Sequence, residues 1–200
     1  TVIAISKDQA STALGVPVTR VIHHGIDVAD VPEGHGDGGY ASFLGRMSPE
    51  KGPREAVLIA RAAGVPLRMA AKLREPAEHE YFENAVKPLL SSEIEYLGEL
   101  GTDDKLKLVG DSFALLNPIQ WPEPFGLVMI EALATGTPVV ATPRGAAPEI
   151  VDHGVTGYLR KDRQALAKAL LDAAQLDRDA CRAAASERFD SEVMVRNHIE

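Results

Sequence analysis

Residues Ala41–Ala71 read ASFLGRMSPEKGPREAVLIARAAGVPLRMAA and carry the clearest structural pattern in this chain. A short apolar strand pattern lies at Ala41–Gly45, and a second one lies at Pro66–Ala71. Between them, Pro53–Ala63 has apolar residues at three- and four-residue spacing and proline at the first helical position. Because parallel neighbours need a crossover connection, usually a helix, this stretch predicts one unit of a parallel sheet.

The same alternation continues on both sides of this stretch. Before it, we predict a strand at Val2–Ser6, a helix at Lys7–Leu14 and an extended piece at Thr19–His23. After it, we predict helices at Pro76–Leu89, Thr102–Val109, Phe125–Thr135, Ala147–Val151, Asp162–Leu176 and Arg178–Arg188, strands at Ile94–Leu97, Phe113–Asn117, Pro138–Ala141 and Gly157–Leu159, and an amphipathic piece from Ser191. The pattern indicates an α/β fold, a parallel sheet with helices on both faces, whose ligand site lies at the carboxyl ends of the strands.

Composition limits the function classes. The 200 residues are 45% hydrophobic and 25% charged, which is enough for one substantial core or two small ones. The net charge of −8 excludes a global positive field for nucleic acid or an anionic membrane, so any bound phosphate must be held locally. Cys181, the single cysteine, excludes an internal disulfide. No apolar run reaches the roughly 20 residues of a membrane span, and we expect a soluble, cytoplasmic protein.

Residues 31–39 are rich in glycine, proline and charge, which predicts a linker between residues 1–30 and a main unit at 40–190. Residues 34–39 match the G-x-G-x-x-G pattern, but they precede a strand instead of joining a strand to a helix, so we assign them to the linker. The chain opens directly on a strand pattern without a leader, and we expect it to begin inside a fold. The histidines lack metal-ligand spacing, so we predict no metal site.

The loop Gly45–Gly52 follows a predicted strand and precedes a predicted helix. Arg46 offers a planar fork of donors and Lys51 a compact ammonium, a combination that suits two adjacent phosphates. The alternative is a solvated turn with two surface cations, because Arg and Lys are common on loops.

The second candidate is the stretch Trp121–Glu131, which reads WPEPFGLVMIE. We expect the amides of Phe125, Gly126 and Leu127 to open a helix that can bind an anion. Glu131 lies in an apolar run, so we predict a partly buried carboxylate, with a purely structural partner as the alternative. Glu123 stands between two prolines and is expected to be held in place; the alternative is an exposed acid in a rigid turn.

A third loop, Thr142–Glu149, also follows a strand and opens a helix. Its glutamate, Glu149, falls in the first helical turn, where a carboxylate complements the helix dipole. The loop is therefore a third candidate, and the alternative for Glu149 is that it simply complements the helix dipole.

Together these loops resemble the family-4 glycosyltransferases, retaining enzymes of the GT-B fold. The resemblance rests on Gly-Arg46 with Pro-Glu-Lys51-Gly, on Glu123 and Glu131 with seven residues between them around Phe-Gly, and on the run Gly136–Ala141. It extends from Ile3 to about Leu159 in the family's order. Such enzymes have two Rossmann-like domains facing each other across a cleft, and this sequence is similar to the C-terminal, donor-binding one.

The resemblance implies a role for each candidate residue. Arg46 and Lys51 would clamp the donor diphosphate as catalytic residues, so that no metal or other cofactor is needed, and the catalytic Glu123 would contact the transferred sugar. Glu131 would accept hydrogen bonds from the ribose hydroxyls. The remaining donor-binding residues implied are Gly45, Leu100, Phe125, Gly126 and Leu127. The donor would be a UDP, GDP or ADP sugar.

The resemblance also implies partners. Residues 1–30 would be the tail of the N-terminal domain with the crossing segment, and residues 191–200 a helix that returns to that missing domain. The acceptor would be a sugar, a lipid or a small molecule, and a lipid acceptor would bring the complete enzyme to the membrane periphery. One departure is visible, because Ala146 and Ala147 follow Gly145 where many members have a second glycine.

Two other functions fit the same residues. The chain could be a nucleotide-sugar binding module that does not catalyse by itself, or an epimerase of the same fold that uses a nucleotide sugar.

Overall fold

The computed structural model describes residues 2–199. Thr1, the first residue of the predicted unit 1–30, and Glu200, the last residue of the predicted unit 191–200, lie outside the described residues. The strands are β1 Val2–Ala4, β2 Val18–Val21, β3 Ala41–Arg46, β4 Leu67–Lys72, β5 Ile94–Tyr96, β6 Ala114–Asn117, β7 Val139–Ala141 and β8 Gly157–Leu159. The helices are α1 Lys7–Thr12, α2 Pro53–Ala63, α3 Pro76–Tyr81, α4 Thr102–Asp111, α5 Leu127–Ala134, α6 Ala147–Ile150, α7 Arg163–Ala173, α8 Arg178–Phe189 and α9 Ser191–Ile199.

Six strands form one parallel sheet in the order β5-β4-β3-β6-β7-β8. The predicted α/β fold class is confirmed. The chain leaves β3 toward β4 and β5, then returns to place β6 on the other side of β3. The loops after β3 and β6 therefore diverge from adjacent strands, and such a switch point is where parallel α/β sheets bind ligands.

Strand side chains alternate between two buried clusters, one on each face of the sheet. Leu115 of β6 and Val139 of β7 pack with α4, α5 and α8 on one face. Leu116 and Val140, one residue further along each strand, pack with α2 and α7 on the other. This period of two is why the short apolar runs form strands that are covered on both sides.

The predicted helix Pro76–Leu89 is interrupted. The α-helix ends at Tyr81 and continues as a wider turn over Phe82–Val86 and a tighter turn over Lys87–Leu89. Pro88 explains the change, because proline lacks an N–H donor and its ring clashes with the carbonyl four residues earlier.

The predicted linker 31–39 contains neither helix nor strand, but it is fixed to the main unit. The amide of Gly34 donates to the carbonyl of Thr135 at 2.9 Å. The guanidinium of Arg178 donates to the carbonyls of Gly34 and Gly110 at 3.2 and 2.9 Å. A Cβ at Gly34 would overlap the backbone of Gly110, so this glycine serves close packing.

The amino-terminal elements β1 and β2 form a separate parallel pair that α1 connects. The chain then crosses to the junction of α8 and α9, where Ile26 exchanges backbone hydrogen bonds with Phe189 and Ser191 at 2.9 and 2.8 Å. Within residues 2–199, no helix has both the length and the apolar character that crossing a membrane requires.

Candidate functional site

Two adjoining cavities open at the carboxyl ends of β3 and β6, with volumes of about 320 and 370 Å³. All nine candidate residues from the sequence line at least one of them. Gly45, Lys51 and Leu127 line both, Glu123, Phe125 and Gly126 line the first, and Arg46, Leu100 and Glu131 line the second. These two cavities, with their lining, form the cleft.

Lys51 and Glu123 meet across the cleft from the two loops of the switch point. The Nζ of Lys51 donates to Oε2 of Glu123, and the indole Nε1 of Trp121 donates to the same oxygen at 3.0 Å. The ammonium also lies 5.4 Å from the centre of the Trp121 ring system, within reach of a cation–π interaction. The Glu123 side chain is only 15% exposed, so it is held as predicted and is not an exposed acid.

The loop after β7 holds the backbone of Glu123. The amide of Ala146 donates to the carbonyl of Glu123 at 2.9 Å. Gly145 has a φ of +56°, and a Cβ there would lie closer than 3.0 Å to that carbonyl oxygen. Ala146 is fully buried, so the alanine at the departure from the family pattern contributes its N–H to the loop of Glu123.

Glu131 is partly buried, as predicted, with 20% of its side chain exposed. Its Oε1 accepts a hydrogen bond from Nζ of Lys105 at 2.7 Å. Lys105 comes from α4 and was missed, because nothing in its local sequence separates it from an ordinary surface lysine.

Arg46 is also paired, with a residue that sequence reasoning missed. Its Nε and Nη2 donate to Oε1 of Glu78 at 2.8 and 2.7 Å. Oε2 of Glu78 accepts from the backbone N–H groups of Arg74 and Glu75 at 2.9 and 3.1 Å. These N–H donors, first those of Arg74 and Glu75 and then the guanidinium, lower the pKa of Glu78 to about 2. A capping-box spacing, Glu75 to Glu78, was the available signal.

The prediction that Phe125 opens the helix is wrong. The helix α5 begins at Leu127, because the φ of +98° at Gly126 lies outside the right-handed helical region. Phe125 is buried, with its ring 5.3 Å from His24 and 6.1 Å from Phe189. The amino-terminal end of α5 therefore lies at Leu127, a residue that lines both cavities.

Glu149 has a partner that the sequence did not indicate. Its carboxylate accepts from the backbone N–H groups of Lys7 and Asp8 at 2.9 and 3.0 Å and lies 3.0 Å from Nε2 of His23. Burial raises the pKa of Glu149, but the hydrogen bonds from Lys7, His23 and Asp8 outweigh it, and the net shift is downward. Glu149 thus ties the amino-terminal segment to α6, 142 residues away along the chain.

Charged side chains are concentrated in the larger cavity. Four cationic side chains and two carboxylates line it: Arg46, Lys51, Lys72 and Lys105, with Glu99 and Glu131. The chain as a whole has a net charge of −8. Each of these cations lies beside a carboxylate, so an anion that binds in the cleft must share or replace these contacts.

Comparison with known proteins identifies the family. The family model for glycosyl transferases group 1 matches residues 31–188, a range that includes both loops of the cleft. The chain belongs to the glycosyl transferases group 1 family.

Curated relatives of this group 1 chain are much longer than it is. The putative glycosyltransferase YtcC of Bacillus subtilis (strain 168) is 28% identical over 170 residues, which cover 71% of this chain and 41% of YtcC. Glycogen synthase of Mycobacterium tuberculosis (strain H37Rv) is 30% identical over 153 residues, which cover 72% of this chain and 36% of the synthase. The chain spans less than half the length of these relatives.

Solved structures agree with the group 1 assignment. AviGT4, a glycosyltransferase involved in Avilamycin A biosynthesis, has a TM-score of 0.81 at 29% identity over 98% of this chain and 61% of its own. Anabaena Alr3699/HepE in complex with UDP has a TM-score of 0.84 at 26% identity over 98% of this chain and 62% of its own. The six-stranded sheet with its helices matches the C-terminal Rossmann-like domain of GT-B glycosyltransferases.

Proposed function

We propose that this chain is the donor-binding half of a retaining, metal-independent glycosyltransferase of family 4. The complete enzyme would move a sugar from a nucleotide-diphosphate sugar to an acceptor with retention of anomeric configuration. The observation that carries the proposal is the cleft itself, where four cationic side chains gather in an acidic chain at the switch point of the sheet. These cations are gathered at one edge of the sheet beside carboxylate partners, and the N–H donors that they have left fit the two phosphates of the donor.

Arg46 and Lys51 are proposed to hold the diphosphate. As the glycosidic bond breaks, negative charge grows on the departing phosphate, and a guanidinium and an ammonium already in place stabilise it. These two cations supply the charge neutralisation for which other transferases use a divalent metal. Lys51 would exchange its contact with Glu123 for one with phosphate.

The rest of the donor is assigned to the remaining cleft residues. Glu131 would accept hydrogen bonds from the ribose, and the nucleobase would rest near Leu100, which lines the larger cavity. Glu123 would contact the transferred sugar, and the amide of Leu127, at the positive end of α5, would orient the sugar and phosphate. Alr3699/HepE, whose solved complexes contain UDP and UDP-glucose, supports a UDP-type donor among the three candidates.

Calorimetric titration with UDP, GDP and ADP tests the donor site. One nucleotide is expected to bind the wild type. Lys51→Ala is expected to weaken its binding about ten- to a hundredfold, because a hydrogen bond to a charged group contributes about 1.5–3 kcal/mol. Lys168→Ala removes the same charge from an exposed position on α7 and is the matched control. Equal losses in both variants, or no binding by the wild type, would contradict the assignment.

The acceptor, the catalytic turnover and the retention of configuration belong to the complete enzyme. Residues 1–30 and 191–200 are proposed to form the junction with an N-terminal domain. The isolated chain is expected to bind the donor without transferring sugar. Adding a separately produced N-terminal half should restore transfer, and the anomeric proton couplings of the product report retention. Product without any acceptor would indicate an epimerase, and nucleotide binding that never yields product would indicate a binding module.

A further inference from the structure

The two carboxylate oxygens of Glu78 have different hydrogen-bond partners. Oε2 accepts the backbone N–H groups of Arg74 and Glu75 and so caps the first turn of α3. Within residues 2–199, Oε1 accepts only from the guanidinium of Arg46, through Nε at 2.8 Å and Nη2 at 2.7 Å. Capping explains one oxygen, and the other is explained by Arg46 alone.

The two side chains differ in their access to solvent. Glu78 is 5% exposed, whereas Arg46 is 53% exposed and lines the larger cavity. A guanidinium has five N–H donors, and the contacts with Glu78 use Nε and one donor of Nη2. Both donors of Nη1 and one of Nη2 remain for a ligand in the cleft.

We propose that Glu78 is a positioning residue that fixes the Arg46 guanidinium for the donor phosphates. The inference rests on the proposed function of the cleft. An unrestrained arginine loses several rotatable torsions when it binds an anion, and this loss weakens binding. Because Glu78 holds Arg46 from behind through a buried carboxylate, the torsions are fixed before the phosphate arrives, and the planar fork keeps the orientation that paired phosphate oxygens require.

Glu78→Gln separates the two jobs of this side chain. A glutamine has one acceptor oxygen and one NH₂ group, so it can cap α3 or accept from Arg46 but not both. Either way, an NH₂ group faces N–H donors in place of an acceptor. Glu80→Gln makes the same change at an exposed position of the same helix and is the matched control.

The experiment compares each nucleoside diphosphate with its nucleoside, which lacks the phosphates. Using whichever of UDP, GDP and ADP binds the wild type, Glu78→Gln is expected to weaken diphosphate binding about tenfold and to leave nucleoside binding unchanged. Arg46→Ala should show the same selective loss, and the double variant should lose no more than Arg46→Ala alone, because Glu78 acts through Arg46. Glu80→Gln should match the wild type.

Four results would overturn the inference. Equal losses for diphosphate and nucleoside would make Glu78 a structural residue, and additive losses in the double variant would show that it acts independently of Arg46. Unchanged diphosphate binding in a folded Glu78→Gln would remove its role while the proposed function stands. Where no nucleotide binds the wild type, the proposed function fails and the inference fails with it.

If Glu78→Gln does not fold, a measurement on the wild type tests the inference instead. The Nε–H of Arg46, assigned by its disappearance in Arg46→Ala, should give a resolved NMR signal with slowed solvent exchange, because it donates to a buried carboxylate. A signal that exchanges as fast as that of a free arginine would overturn the inference without any Glu78 variant.

Discussion

Gly145→Ala is expected to displace Glu123 from the cleft. Gly145 has a φ of +56°, and a Cβ built on it would lie closer than 3.0 Å to both the carbonyl oxygen and the amide nitrogen of Glu123. These are backbone atoms, so no side-chain rotation can relieve the overlap. The loop that carries Glu123 must move, and its contacts with Lys51 and Trp121 must lengthen.

Two terms set the size of the effect. An alanine in the left-handed region costs about 1–2 kcal/mol. Crowding a packed contact adds about 1–3 kcal/mol. The free energy of unfolding should therefore fall by about 2–5 kcal/mol. Gly154→Ala provides the control, because Gly154 has a φ of +83° with nothing within 4 Å of the added Cβ, so only the first term applies.

Urea denaturation of both variants measures the difference in stability, and nucleotide titration measures the site. Gly145→Ala should lose at least about 1 kcal/mol more than Gly154→Ala, the low end of the crowding term, and should bind the nucleotide more weakly. Gly154→Ala should bind it as the wild type does. The reasoning is refuted if the two variants lose equal stability and both keep wild-type affinity, since the loop after β7 would then not fix Glu123.

Three further predictions concern ionisable side chains with shifted pKa values, namely Glu78, Glu149 and Cys181. The pKa of Glu78 lies at about 2 instead of 4.5, chiefly because backbone N–H groups such as that of Arg74 donate to it, so its stabilisation is complete above pH 4.5 and is lost toward pH 2. Thermal melting points of the wild type and Glu78→Gln should accordingly differ most near neutrality and converge on acidification; a gap that widens in acid would contradict this sign. Glu149→Ala should cost about 1–3 kcal/mol and accelerate exchange of the Lys7 amide, measured by hydrogen-exchange NMR, and unchanged exchange would count against the contact. Burial raises the pKa of Cys181 to about 12, so a thiol reagent should react only as the protein unfolds, and rapid modification of the folded chain would exclude this burial.

The fold was predictable because its signal is local. The central strands of the six-stranded sheet are short apolar runs, and a run buried on both faces needs no pairing partner to be recognised. The order of the strands in the sheet could not be predicted in the same way. The return of β6 to the side of β3 depends on packing between residues about 70 positions apart, such as Ser42 and Ser112, whose hydroxyls lie 2.8 Å apart, and no periodicity encodes it.

The site was predictable to the extent that it is built from loops after strands. Carboxyl ends of parallel strands share one edge, so the sequence predicted that Arg46, Lys51 and Glu123 lie along the same edge, where Lys51 contacts Glu123. Their partners from helices were missed, because Glu78 and Lys105 lie 32 and 26 residues away from the groups they contact and look like surface charges in the sequence. A disruption of the predicted helix Pro76–Leu89 could have been expected from the sequence, since Pro88 cannot donate to the carbonyl four residues earlier.

The three cations that matter most to the proposed function each already have a carboxylate partner. Arg46 is paired with Glu78, Lys51 with Glu123 and Lys105 with Glu131. A group of unpaired cations would repel one another and would bind any anion, whereas paired cations release only to a ligand that offers better contacts than the carboxylate does.

Entry of a diphosphate should change these ion pairs in different ways. Under the proposed function, Arg46 would keep Glu78 and contribute its remaining donors, because among residues 2–199 the buried carboxylate has no other charged side-chain partner. Under the proposed function, Lys51 would leave Glu123, and Trp121 Nε1 would continue to hold that carboxylate. Glu123 would then be free to accept from the sugar hydroxyls once the phosphates are bound, so that arrival of the diphosphate end would prepare the sugar end of the same cleft.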